Sequence, residues 1–159
     1  MSKTLVIFYS RTGRTKTIAE RVSELLNCEL EEVVDLKKRT GILGFLRAGK
    51  DAFLKKKTII KEPLKNPGEY DLLIIGSPVW AGNLPPAIRT YIDKFTSQLP
   101  RLALIGTCSG KGNSSKIAVE IEKISGKKLS AIVEVTAKEV SEKKYEAKIQ
   151  DFINKLKAL

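Results

Sequence analysis

The hexapeptide Ser10-Arg11-Thr12-Gly13-Arg14-Thr15 gathers hydroxyls, guanidinium groups and one glycine into a single short stretch. That set suits an anion. Hydroxyls donate around a phosphate, Gly13 lets the backbone come close to it, and a helix starting here adds free N–H groups and positive dipole potential. Arg11 and Arg14 either add charge to such a cup or face water. A ligand-free helix start capped by hydroxyls would use the same residue types. The flanks favour the cup. Leu5-Val6-Ile7-Phe8-Tyr9 is a compact block of branched and aromatic residues, the pattern of a buried parallel strand. Downstream, Ile18, Ala19, Val22, Leu25 and Leu26 recur at the helical period. A strand that turns into a helix through these residues is expected to hold a phosphorylated ligand.

Two further stretches carry chemistry. Gly76-Ser77-Pro78-Val79-Trp80-Ala81-Gly82-Asn83-Leu84-Pro85-Pro86 sets the single tryptophan of the chain between glycines and prolines. There its ring either stacks on a planar ligand or plugs the top of the core. Thr107-Cys108-Ser109-Gly110-Lys111-Gly112-Asn113 is small and polar, suited to bonding the edge of a heterocycle through backbone N–H groups. It is not a nucleotide P-loop. The spacing from Gly106 to Gly110-Lys111 is one residue short, and Gly112 stands where a magnesium-holding Ser or Thr is needed. With no histidine in the chain, Cys108 reads as a small contact residue rather than a nucleophile.

The elements that must position these loops follow from periodicity. Cys28 to Val34 alternates like a strand near a sheet edge. Asp71 to Gly76, Leu102 to Thr107 and Leu129 to Val135 read as three more strands. Helical patterns fall between them. One starts at Pro85 or Pro86, one runs from Ser114 to Ile124, and a last one opens at Ser141 as N-cap, with Tyr145, Ile149, Phe152, Ile153 and Leu156 on one stripe. Alternating strands and helices predict an α/β fold: a doubly wound five-stranded parallel sheet with helices on both faces. The three loops then meet outside the strand C-termini, where such sheets bind ligands. Asp35 to Glu69 breaks the rhythm and is read as a loop plus a short amphipathic helix.

With 159 residues, a single domain over 1–159 is expected. No apolar run suffices to span a bilayer and the cysteines form no disulfide framework, so the expectation is a cytoplasmic protein without stable membrane insertion. Two cysteines and no histidine argue against a metal site, and no side chain is assigned a catalytic role; a bound cofactor is expected to carry the chemistry. The net charge is +11, and nine Lys or Arg against two Asp or Glu between Lys37 and Glu62 account for +7 of it. The excess is therefore largely local, able to steer an anionic partner or membrane surface or simply to be solvated. That distribution weakens a nucleic-acid reading.

Together, the Ser/Thr-x-Thr-Gly-x-Thr loop, the Gly-Ser-Pro-x-Trp-x-Gly-Asn-x-Pro-Pro segment and the loop after Gly106 resemble the flavodoxin family across most of the chain. Gly44-Phe45-Leu46-Arg47-Ala48-Gly49-Lys50-Asp51-Ala52 also resembles a segment of some bacterial and archaeal flavodoxin-like proteins. The resemblance implies strand order 2-1-3-4-5 and non-covalent FMN. Its phosphate would lie on Ser10, Arg11, Thr12, Gly13, Arg14 and Thr15. Its ring would lie between Ser77, Pro78, Val79, Trp80, Ala81, Gly82 and Asn83 on one side and Thr107, Cys108, Ser109, Gly110 and Gly112 on the other. The leading expectation is an electron carrier that docks redox partner proteins on its basic region from Lys37 to Lys61. The alternatives are a small FMN oxidoreductase, such as an NAD(P)H:quinone reductase or a protoporphyrinogen-oxidase-like enzyme, and a flavin-free binding module. The chain departs from acidic flavodoxins in being basic, with no Asp or Glu in either ring loop, so a less negative flavin potential is expected.

Overall fold

The computed structural model describes residues 2–37, 41–110 and 113–159. Five strands, β1 (Thr4–Phe8), β2 (Glu29–Glu32), β3 (Leu72–Pro78), β4 (Arg101–Cys108) and β5 (Leu129–Thr136), form one sheet in the order β2-β1-β3-β4-β5. Every pairing is parallel. The helices are α1 (Arg14–Leu26), α2 (Gly41–Phe53), α3 (Pro86–Lys94), α4 (Ser114–Ser125), α5 (Ala137–Ser141) and α6 (Glu146–Lys157).

Side chains alternate across the pleat, so each strand feeds two cores. Leu5, Ile7, Leu73, Ile75, Leu102 and Leu104 pack with Ile88, Tyr91 and Ile92 of α3 and Ile117 and Ile121 of α4. Val6, Phe8, Ile74, Ala103, Ile105 and Val133 pack with Ile18 and Val22 of α1 and Ile149, Phe152 and Ile153 of α6. The central strands are buried on both faces, which is why they read as continuous apolar runs. The expected doubly wound five-stranded parallel sheet is the observed one.

The register fixes where the loops meet. Phe8 lies beside Gly76, Ser77 beside Gly106 and Pro78 beside Thr107, so the C-terminal ends of β1, β3 and β4 share one edge. Close packing there depends on Gly106. A Cβ on it would fall 2.1 Å from Ser114 Oγ, so α4 can start this near the sheet only over a glycine.

Three expectations needed revision. β3 and β4 run to Pro78 and Cys108, beyond the predicted ends. Ser141 does not open the last helix. It ends α5, which starts at Thr136 with a capping box to Glu139, and Lys143 at φ 54 breaks the chain before α6. The helix in the 35–69 connection spans 13 residues, and its apolar side chains mostly face outward. Gly44, Ala48, Asp51 and Ala52 turn inward instead. The segment after α2 is tied down by Arg89 Nη1 donating to the Lys56 carbonyl at 3.2 Å, by the Lys57–Asp93 ion pair and by an Asp35–Ile60 bridge. The buried Arg89–Glu120 pair, at 2.7 Å, anchors α3 to α4 behind it.

Candidate cofactor site

A cleft of about 450 Å³ opens at the shared strand edge. It is lined from four directions: Arg11, Thr12, Arg14 and Thr15 after β1; Pro78, Val79, Trp80 and Ala81 after β3; Thr107, Cys108 and Ser109 after β4; and Phe45, Leu46, Ala48, Gly49 and Lys50 from α2. The volume lies within the range of small-molecule and cofactor sites. The motifs pointed to three of these walls. The fourth, α2, was missed, because its large apolar residues read as a core face. The helix packs instead through small Gly44, Ala48 and Ala52, which carry almost no hydropathy signal, and so leaves Phe45 and Leu46 at the cleft.

The α1 end of the cleft is built for an anion. Gly13, at φ 90, is the N-cap; no side chain caps the helix, and its first turn holds no acid. The first N–H groups of a helix need partners, and here an exogenous anion would meet them. The helix starts after β4 and β5 are met by the chain's own carboxylates, whereas α3 opens on Pro85 and Pro86 with no side-chain cap. Glu134 accepts from Ser114 N at 2.9 Å at the start of α4, and Glu139 accepts from Thr136 N at 2.8 Å at α5.

The hydroxyls around the cup have distinct duties. Ser10 Oγ accepts from Gly13 N at 3.0 Å and shapes the turn without lining the cleft. Thr15 and Thr107, both buried, share an Oγ1···Oγ1 hydrogen bond of 2.7 Å that joins the first loop to the third. Each hydroxyl has one proton, so the pair retains one O–H for a ligand. Arg11 does not simply face water. It donates to the Gly41 carbonyl at 3.2 Å, and its guanidinium lies 5.3 Å from the Phe45 ring centroid, coupling the cup to α2.

The second loop is a tight turn. Trp80 and Asn83 exchange backbone hydrogen bonds of 3.0 and 2.8 Å around Ala81 and Gly82, both at positive φ. Asn83 Nδ2 donates to the Ala81 carbonyl at 2.7 Å, so that side chain holds the turn. Ser77 is fully buried and donates to the Pro78 carbonyl. Ser77, Gly82, Asn83 and Gly110 do not line the cleft, and Gly112 lies outside the described residues. Trp80 stands edge-on to Tyr9, with centroids 5.3 Å apart, packing against the core while bordering the cleft.

The third loop joins the second where Val79 N donates to the Thr107 carbonyl at 2.9 Å. Burial, reinforced by Glu134, pushes the Cys108 thiol up to about 11, so near neutrality it is a protonated contact group rather than a nucleophile. Arg11, Arg14 and Lys50 border the cleft, and no carboxylate does among the described residues. The described residues also hold no cluster of metal-ligating side chains.

The chain belongs to the NADPH-dependent FMN reductase family, which it matches over residues 3–120. A curated relative, the NAD(P)H dehydrogenase (quinone) of Chromohalobacter salexigens, is 29% identical over 117 residues. That match covers 72% of this chain and 58% of the relative, so the chain spans little more than half of that protein's length. Among solved structures, a flavoprotein from Lactobacillus acidophilus NCFM in complex with FMN aligns with a TM-score of 0.73 at 26% identity, covering 89% of this chain and 98% of the other. Oxidised flavodoxin 1 from Bacillus cereus aligns with a TM-score of 0.54 at 18% identity over 99% of both chains, a likeness of fold.

Proposed function

We propose that this protein is an FMN-dependent oxidoreductase that takes electrons from NAD(P)H and delivers them to a quinone. The observation that carries it is the cleft itself: an uncapped helix start at one end, a tryptophan-bordered apolar wall at the other, and no carboxylate among its described lining residues. Those features fit FMN. The α1 amides and the hydroxyl of the Thr15–Thr107 pair would hold the phosphate. Trp80, Val79 and Pro78 would cover one side of the ring, and the backbone from Thr107 to Ser109 would meet its polar edge.

Bound FMN would supply two-electron chemistry: a hydride taken from a nicotinamide, and two electrons given to a quinone together with that proton and a second one from solvent. The chain orients that chemistry and shields it. Phe45 and Leu46 of α2 form an apolar rim that excludes water beside the ring loops. Arg11, Arg14 and Lys50 give the cleft a positive field, which suits the phosphates of a nicotinamide donor and favours negative charge on the reduced ring. Family membership and the quinone-linked relative support this reading over the electron carrier that the motifs first suggest.

The test is steady-state oxidation of NADPH and NADH by the FMN-loaded protein with a short-chain, water-soluble quinone. Turnover on the order of 1 s⁻¹ or faster is expected, in the ordinary range of enzymes. Negligible turnover with both nucleotides, alongside rapid electron exchange with a redox protein, would return the carrier reading.

A further inference from the structure

α2 presents the wrong face to water. Its inward stripe is Gly44, Ala48, Asp51 and Ala52. Its outward stripe holds Ile42 (82% exposed), Phe45, Leu46 and Phe53 (68%), at the i, i+3, i+4 and i+11 positions of one helix face, with Leu43 (81%) alongside. Scattered exposed apolar residues are ordinary on a protein surface. Four large ones in the first two turns of one helix, with Phe53 at its end and Gly49 and Lys50 between, form a contiguous patch of the kind that marks an interaction site. The stripe also runs into the site, because Phe45 and Leu46 line the cleft.

Cations flank it. Arg47 and Lys50 lie along one side of the helix, and Lys55, Lys56 and Lys57 follow its end. The one acid of the helix, Asp51, is turned inward, 2.9 Å from Lys37 and 3.9 Å from Lys56. The outward face is therefore apolar along its centre and positive at its margin. A second copy of the chain fits it poorly, since a two-fold contact would set the +7 segment between Lys37 and Glu62 against itself. An apolar stripe bordered by lysine and arginine is the pattern of a helix lying in the headgroup layer of an anionic membrane. At 13 residues α2 is about 20 Å long, and no described helix is long and apolar enough to cross a bilayer.

We infer that α2 seats the protein on an anionic lipid surface, its outward stripe sunk into the interface and the mouth of the cleft held against the membrane. Ile42, Leu43 and Phe53 enter the acyl boundary, and Arg47 and Lys55 meet lipid phosphates. This is adsorption, not insertion. Resting on the oxidoreductase reading, it adds the substrate class: a lipophilic quinone that reaches the cleft from the bilayer across Phe45 and Leu46.

Flotation of the FMN-loaded protein with phosphatidylcholine vesicles, with and without phosphatidylglycerol, tests it. Binding is expected to the anionic vesicles at low salt and to weaken as salt rises. Ile42→Asn with Leu43→Asn, two exposed positions outside the cleft lining, should lower partitioning roughly tenfold or more with FMN content unchanged. Arg47→Glu with Lys55→Glu should abolish the preference for anionic lipid. No flotation with any vesicle, or flotation that the apolar pair leaves unchanged, overturns the proposal. So does capture by an acidic redox protein without vesicle binding, since the basic face would then serve a protein. Flotation needs no turnover, and turnover with a water-soluble quinone needs no membrane, so the docking and the oxidoreductase reading fail independently.

Discussion

The hydrogen bond between Thr15 and Thr107 separates what the loops do for the fold from what they do for the cofactor. It is 2.7 Å long and buried, the two residues being 2% and 4% exposed. Thr15→Val or Thr107→Val strands the remaining hydroxyl in the interior, at a cost of about 1–3 kcal/mol. With a urea dependence near 2 kcal/mol per molar, that is a midpoint shift of roughly 0.5–1.5 M. The double variant removes both hydroxyls and nearly keeps their shape, so its apo form should lie within about 1 kcal/mol of the parent. FMN affinity should not recover with it. The O–H left for the phosphate is gone in the double variant, and a hydrogen bond to a charged group contributes about 1.5–3 kcal/mol, tenfold or more in Kd. Urea unfolding followed by circular dichroism, with FMN titration of the same variants, reads both quantities. Additive stability losses in the double variant would refute the shared bond. A double variant that binds FMN as the parent does would refute the role of these hydroxyls in the site.

Gly106→Ala should destabilise the protein by about 1–3 kcal/mol, because the new Cβ meets Ser114 Oγ at 2.1 Å. Adding Ser114→Gly should recover part of that loss in the same melt. Lys50→Gln should lower the two-electron flavin potential at low salt, because a cation bordering the cleft favours negative charge on the reduced ring. A potentiometric titration without any shift would count against the positive field. Burial pushes the thiols of Cys28 and Cys108 from an ordinary value of 9.0 up to about 11. Their contribution to stability is therefore complete below pH 9 and is lost as pH rises through 11. Urea midpoints between these limits should fall more steeply in the parent than in Cys28→Ala with Cys108→Ala.

The fold was legible wherever one pattern permits one structure. Leu72 to Ile75 and Leu102 to Ile105 are short apolar runs without alternation, each closed by a glycine, the pattern of strands buried on both faces, and the helical stripe of α1 leaves little choice of face. Such sheets gather their loops at the C-terminal edge, so the sequence places the three motifs at one edge. What failed was local competition. Ser141 offers an N-cap, but Thr136 and Glu139 form a complete capping box five residues earlier and start a separate short helix. For α2 the sequence shows large apolar residues on one stripe and small ones on another, and hydropathy assigns the large ones to the core. The chain instead brings Gly44, Ala48 and Ala52 against the protein, with Asp51 beside Lys37, which leaves the larger residues outside. The roles of Ser10 and Asn83 were illegible for a simpler reason. A hydroxyl or amide that closes its own turn looks, in sequence, the same as one that holds a ligand.

The central claim is that the uncapped start of α1 takes the phosphate of a flavin whose ring lies between the second and third loops. Titrating the apo-protein into FMN and, separately, into riboflavin tests it most directly, since the two differ only in the phosphate. The account predicts saturable, one-to-one quenching of FMN fluorescence and riboflavin binding weaker by at least about a hundredfold, as expected for a charged group held by several donors. Equal affinity for the two flavins, or FMN that stays fully fluorescent at saturating protein, would contradict it.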